Sequence, residues 1–245
     1  MNEPVTQHFT LHQAVLRELG AALPPGAAVL DFGCGQGAMV AEYERRGFAA
    51  HGCDPRLAQE TDALRRMDAP DYRIPFADNS FAFVFSDQVM EHVQDHAAAA
   101  AEIWRVLQPS GVSLHIFPSR WKPVESHVLV PFAGVWQNRA WLDLWARMGV
   151  RTAPQQGLSA REIVERNHEY LTARTNYLTR KELRRAFAAK FGAVTFAESA
   201  LLPHTYGGAR RLAPLARRLP FVAWLYGAFY SRVIFVKKGE KSDML

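Results

Sequence analysis

The feature that most constrains this 245-residue chain is a short apolar run that stops at a cluster of glycines. Ala27 to Phe32 is followed at once by Gly33-Cys34-Gly35-Gln36-Gly37. Such a run suits a strand buried on both faces of a parallel sheet. Glycine lets the backbone turn tightly and approach a ligand closely. Ala38 to Arg46 then reads as a helix closed by Gly47, and Phe48 to Cys53 as a second strand ending at Asp54. Strand, glycine turn, helix and strand make one βαβ unit.

The pattern repeats along the chain. An amphipathic helix is expected over 9–22, with Phe9, Val15, Leu16 and Leu19 near one face. Pro55 to Met67 is expected to be helical, Phe81 to Phe85 a buried strand, and Val89 to Leu107 a helix. Pro109-Ser110-Gly111 breaks that helix before a strand at Val112 to Phe117. Alternating strands and helices predict a doubly wound α/β sheet with helices on both faces. After Pro118 the rhythm stops. Residues 118–178 are rich in Trp, His and Arg, with a helix around Ala140 to Met148. The rhythm returns with a helix at Arg180 to Phe191 and a strand at Ala193 to Glu198. A second irregular block, 199–230, precedes a last strand at Arg232 to Val236.

Composition narrows the class. Hydrophobic residues at 49% and charged residues at 22% are those of a soluble globular domain. Cys34 and Cys53 are too few for a disulfide framework or a four-ligand zinc site, and no metal is expected. The start lacks the basic and apolar regions of a signal peptide, which leaves a cytoplasmic location as the expectation. The net charge of +5 is carried unevenly, with Arg210, Arg211, Arg217 and Arg218 crowded late. These alternate with aromatics and form no separate nucleic-acid module, so nucleic acid is not the expected partner.

Asp54 is the first candidate site residue. A carboxylate at the end of the second strand accepts hydrogen bonds from a ribose diol, or simply caps the next helix. On these residues alone, NAD and S-adenosylmethionine compete as cofactors, and an oxidoreductase is the alternative to a transferase. More of the chain bears on the choice. Val29 to Gly37, Ile74-Pro75-Phe76-Ala77-Asp78-Asn79-Ser80-Phe81, the stretch from Ser86 to Glu91-His92-Val93, and Glu102 to Gly111 stand in order. Together they resemble the ordered motifs of class I S-adenosylmethionine-dependent methyltransferases, most of all those of ubiquinone and menaquinone biosynthesis. Ala82 and Ser110 stand where that pattern has an acid and a glycine.

The resemblance implies a Rossmann-like sheet of seven strands with the last antiparallel. It implies one domain over 1–245, with a cofactor-binding core at about 9–118, 179–198 and 231–238. The blocks at 119–178 and 199–230 would then be insertions forming a helical substrate lid. It places Gly33, Cys34 and Gly35 against the methionine part of the cofactor, with Asp31 orienting that turn. Asp54 would hold the ribose and Pro55 lie beside the adenine. Asp71 and Tyr72 would recognise the adenine, with Asp68 as the alternative acid. Ser86 and Gln88 would line the floor near the methyl group. The acceptor would be a small molecule, methylated on O, N or C, and the apolar segment 210–230 points to one that is hydrophobic or lipid-linked.

The expected catalytic residues are His92, Glu125 and His127. His92 begins a helix, where it either takes a proton or satisfies backbone groups. Glu125 and His127 fall just past a strand's carboxyl end, the edge where sites form in open α/β sheets. Trp121, Trp136, Trp141 and Tyr170 are candidate apolar walls for an acceptor. The basic, aromatic segment 210–230 is expected either to close the lid or to touch a membrane surface. A non-catalytic cofactor-binding protein at a membrane is the remaining alternative. The oligomeric state is not legible in the sequence.

Overall fold

The computed structural model describes residues 3–68 and 71–240. Seven strands form one sheet: β1 (Ala28–Phe32), β2 (Ala49–Asp54), β3 (Leu64–Arg66), β4 (Phe81–Asp87), β5 (Leu107–Pro118), β6 (Thr195–Phe196) and β7 (Ser231–Lys237). Their order is β3-β2-β1-β4-β5-β7-β6. The first five are parallel, and β7 runs antiparallel to both β5 and β6. This is the Rossmann-like sheet with an antiparallel last strand that the sequence implied. Strands β1 and β4 are central, which is why their sequences are continuous and apolar: both faces need covering.

Alternate residues of β4 enter opposite cores. Phe83 and Phe85 pack with Phe9, Val15 and Leu16 of α1 (Glu3–Glu18) and with Tyr43 of α2 (Ala38–Arg45). Val84 packs on the other face with Ile103 of α3 (His96–Val106) and Leu183 and Phe187 of α6 (Arg180–Phe191).

Four expected elements are redrawn. Pro55 to Met67 is not a helix. Asp54 accepts from Arg56 N–H, Thr61 from Leu64 N–H, and Glu60 from Arg66 N–H, so side chains take the donors a helix would use. The segment ends in β3, which pairs with β2. Val89 to Leu107 splits in two, a 3₁₀ turn at Met90–His92 and then α3. Val93 is extended, and Asp95 starts the new helix by accepting from the N–H groups of Ala97 and Ala98. The first helix begins at Glu3 and ends at Glu18, before the positive φ of Gly20. The strand expected at Ala193 to Glu198 shrinks to β6, because Glu198 opens α7 (Glu198–Leu201) and pairs with Arg232 of β7 at 2.8 Å.

The two irregular blocks differ. Residues 119–178 carry α4 (Arg139–Arg147) and α5 (Ala160–Arg174), which share a small core of Val130, Leu142, Ile163 and Leu171. Residues 199–230 carry α8 (Ala213–Arg218) and α9 (Pro220–Phe229). Their Leu201, Leu202, Ala213, Val222 and Tyr226 join the core under α1, on a face of the sheet and not over its edge. No helix among the described residues is long and apolar enough to cross a membrane.

Candidate active site

The glycine turn is built by hydrogen bonds across β1 and β2. Gly33 and Cys34 donate to the carbonyl of Cys53 at 2.8 and 3.1 Å. Gly35 N–H donates to one oxygen of Asp54 at 3.1 Å, and Arg56 N–H to the other at 2.7 Å. Gly33 has φ +87°, and a Cβ there would lie 2.4 Å from Cγ2 of Val89. Glycine is therefore required at position 33 by both conformation and space. Cys34 folds beneath the turn against Gly52. Burial pushes its thiol up to about 12, so it stays protonated at neutral pH and is no nucleophile.

A cavity of about 620 Å³ opens beside this turn, at the carboxyl ends of β1, β2 and β4. That is the edge where open α/β sheets hold ligands, and the volume is that of a small-molecule site. Gly33, Asp54, Pro55, Tyr72, Gln88 and His92 of the expected set are on its wall. Asp31, Cys34, Gly35 and Ser86 do not line it. Asp31 is 5% exposed, and burial, followed by the nearby Asp87 and Asp54, holds its carboxyl well above the usual range. Ser86 is buried with its hydroxyl 2.8 Å from Nδ1 of His115, which removes it from the cavity floor. Asp71 is exposed and off the wall, as is Asp68. Tyr72 keeps its place at φ +51°, and its hydroxyl accepts from the N–H of Gln94 at 2.6 Å.

Sequence reasoning missed Asp87. It ends β4 at the cavity wall, and its carboxylate lies 3.1 Å from Nδ1 of His8 and 3.0 Å from Nε2 of His12. Burial disfavours its charge, but the two histidines outweigh burial and hold the carboxyl below its ordinary range. The signal was its position, the last residue of a central strand. Arg56, Met67, Gln94 and Arg174 also reach the wall without a motif to mark them. Of the expected acceptor walls only Tyr170 lines the cavity. Trp121 and Trp136 are 44% and 45% exposed, and Trp141 stacks edge-on between Trp136 and Trp145.

The three expected catalytic residues do come together. Glu125 is 2% exposed and accepts from the N–H of Val128 at 2.8 Å and the Tyr177 hydroxyl at 2.6 Å. It also accepts from the backbone N–H of His127 at 2.7 Å and lies 2.7 Å from Nδ1 of that residue's ring. That ring hydrogen bond raises the His127 pKa, while its donors hold Glu125 low against its burial. The rings of His92 and His127 meet edge to face at 4.8 Å, and Tyr170 stands 5.3 Å from His127. Nδ1 of His92 lies 2.8 Å from the carbonyl of Arg174 in α5. Burial lowers the His92 pKa. Glu91, absent from the expected set, is 1% exposed beside them, and burial raises its carboxyl to about 7. Ligand atoms of Glu91, His92 and His127 lie within 4.8 Å of one another. Nothing in the spacing of the chain pairs Glu91 with His127; the 3₁₀ turn at Met90–His92 brings them together.

The motif residues at Glu102 and Arg105 have a scaffolding role. Arg105 bonds the carbonyls of Ile74 and Phe76, the carboxylate of Asp78 and that of Glu102. Glu102 in turn accepts from Ile74 N–H at 2.9 Å. This clamp fixes the loop that delivers Tyr72 to the cavity. Ser110 takes φ +63°, the conformation that explains the glycine expected there.

Residues 30–114 match the family model described as a methyltransferase domain. A probable S-adenosylmethionine-dependent methyltransferase of Mycolicibacterium smegmatis is 32% identical over 132 residues, 51% of this chain and 51% of that protein. The dimethylglycine N-methyltransferase of Parasynechococcus marenigrum is 30% identical over 138 residues, 50% of this chain and 48% of that protein. The chain thus spans about half the length of these curated relatives. A solved geranyl diphosphate methyltransferase in complex with GPP and sinefungin superposes with TM-score 0.50 at 18% identity, over 96% of this chain and 77% of that one. That likeness concerns the fold.

Proposed function

We propose that this chain, whose residues 30–114 match a methyltransferase-domain family model, is a class I S-adenosylmethionine-dependent methyltransferase that transfers a methyl group from S-adenosylmethionine to a small acceptor held between the glycine turn and α5. The observation that carries this reading is a single cavity whose wall holds both Gly33 and the carboxylate of Asp54.

The residues fit the cofactor. Asp54 spends one lone pair on each backbone donor and keeps others for a ribose diol. The backbone at Gly33 offers a flat approach without a side chain. Asp87, kept ionised by His8 and His12, suits the cofactor's ammonium group. Pro55 and Tyr72 stand where the adenine would lie, with Gln88 toward the methyl group. When bound, the cofactor supplies an electrophilic methyl group on a sulfonium.

The protein's share of the chemistry is alignment and exclusion of water. We place the acceptor at the end of the cavity formed by His92, Tyr170 and Arg174, with Glu125 and His127 behind them. Residues 119–178 act as its lid through Tyr170, Ala173 and Arg174, whereas 199–230 add nothing to the cavity wall. Met67, Val89, Val93 and Tyr170 favour an acceptor with an apolar body.

The surface of α8 and α9 suits a second contact. Leu215, Phe221 and Trp224 are 45%, 57% and 52% exposed, near Arg210, Arg211 and Arg218. No acidic residue falls between Glu198 and Glu240. Apolar rings beside unopposed arginines fit an anionic lipid surface, and they would bring the protein to a lipid-linked acceptor.

Calorimetric titration tests the central reading. S-adenosylhomocysteine should bind saturably and NAD should not. Binding of NAD alone would move the protein to the oxidoreductases. Labelled-methyl transfer to quinone, lipid and sugar acceptors then separates an enzyme from a cofactor-binding protein without turnover.

A further inference from the structure

A buried carboxyl group whose oxygens have no hydrogen-bond partner calls for an explanation, and Glu91 is such a group. It is 1% exposed, and neither oxygen has a hydrogen-bond partner. Two imidazoles face it. In each, Nδ1 is already engaged: His127 with the Glu125 carboxylate at 2.7 Å, and His92 with the Arg174 carbonyl at 2.8 Å. Those acceptors place the ring proton on Nδ1 and leave the lone pair on Nε2. An outer carboxylate or carbonyl holding Nδ1–H is the arrangement that orients metal-ligating histidines.

We infer that Glu91, His92 and His127 form a binding site for a divalent transition-metal ion of the zinc class, with Glu125 and Tyr177 as its outer support. Two imidazoles and one carboxylate are a three-ligand set that leaves open positions, and imidazole selects such ions over magnesium or calcium. The ligand atoms lie within 4.8 Å of one another. Bonds of about 2.1 Å in tetrahedral geometry call for separations of roughly 3.4 Å, a closing movement of an ångström or so. The carboxylate of Glu91 would then be neutralised in place. His92 also stands on the cavity wall, so an open coordination position would face the acceptor. There the ion would hold an acceptor oxygen. The existence of the site stands on its own geometry; only this use of it rests on the methyl-transfer reading.

The test is metal binding by the full chain after treatment with a chelator. Titration with zinc should show one saturable equivalent, and cobalt should give visible absorption of a low-coordinate complex. Glu91→Gln and His127→Ala, neither on the cavity wall, should each weaken zinc binding at least tenfold while S-adenosylhomocysteine still binds as it does to the parent. That second titration shows that the variants are folded. Absence of a saturable equivalent in the parent, or unchanged affinity in folded variants, overturns the site. Failure of S-adenosylhomocysteine to bind the parent would instead strike the methyl-transfer reading and leave the metal result standing.

Discussion

The carboxylate of Asp54 accepts a hydrogen bond from the backbone N–H of Gly35 at 3.1 Å, tying the end of β2 to the turn after β1. Its second oxygen takes the N–H of Arg56, so the group is fixed at the cavity wall before any ligand arrives. Asp54→Asn keeps the size and removes the charge, and one amide nitrogen must then face a donor. Loss of one charged hydrogen bond costs about 1.5–3 kcal/mol. Affinity for S-adenosylhomocysteine, read by calorimetry, should fall roughly tenfold to a hundredfold. Unchanged affinity would mean that Asp54 only caps its loop.

Gly33 and Gly26 both have positive φ, at +87° and +73°, but only Gly33 lacks room for a side chain. Gly26→Ala should cost only backbone strain, about 1–2 kcal/mol. Gly33→Ala must also displace Val89 and should cost measurably more in urea unfolding, with cofactor binding lost. Equal losses in the two variants would show that the turn adapts.

Much of this was legible in the sequence because backbone demands leave local traces. The glycines, the apolar runs of β1 and β4 and the acid ending β2 all marked the glycine-turn side of the cavity. Pro55 to Met67 misled because its spacing permits a helix, while Asp54, Glu60 and Thr61 capture the backbone donors instead. Asp87 was marked only by its place at the end of β4, and its pairing with His8 and His12 was not legible because they lie on a helix distant in sequence. Ser86 was drawn away from the cavity by His115 in the neighbouring strand, a pairing set by register. The block at 199–230 looked like a lid because its residues are irregular, yet its apolar side covers a sheet face.

His115 gives the fold an acid sensitivity. It is fully buried, with Nδ1 at 2.8 Å from Ser86 Oγ and Nε2 at 2.6 Å from Ser113 Oγ. Burial holds its pKa down to about 3, and holds that of His96 down to about 4, against 6.5 for an unburied histidine. Between those values the unfolded chain binds more protons, so stability falls as pH falls, by up to about 1.4 kcal/mol per pH unit for each histidine. Urea unfolding from about pH 7 to about pH 5 should show this decline. His115→Gln should reduce the slope; an identical slope would rule out His115 as its source.

The exposed rings of α9 should matter at lipid surfaces. Vesicles rich in anionic lipid should carry the protein in flotation, and neutral vesicles should not. Phe221→Ser with Trp224→Ser should abolish flotation without lowering S-adenosylhomocysteine affinity. High salt should weaken it through the arginines. Equal recovery with neutral vesicles, or no recovery with either, would leave α8 and α9 as a cover for the sheet alone.

The most direct measurement is a crystal structure with S-adenosylhomocysteine bound. The ribose hydroxyls should lie within about 2.6–3.2 Å of the Asp54 carboxylate oxygens, with the amino-acid part running along Gly33. The sulfur should point toward His92 and Tyr170. A nucleoside seated elsewhere, or a ribose making no contact with Asp54, would contradict cofactor binding at this turn.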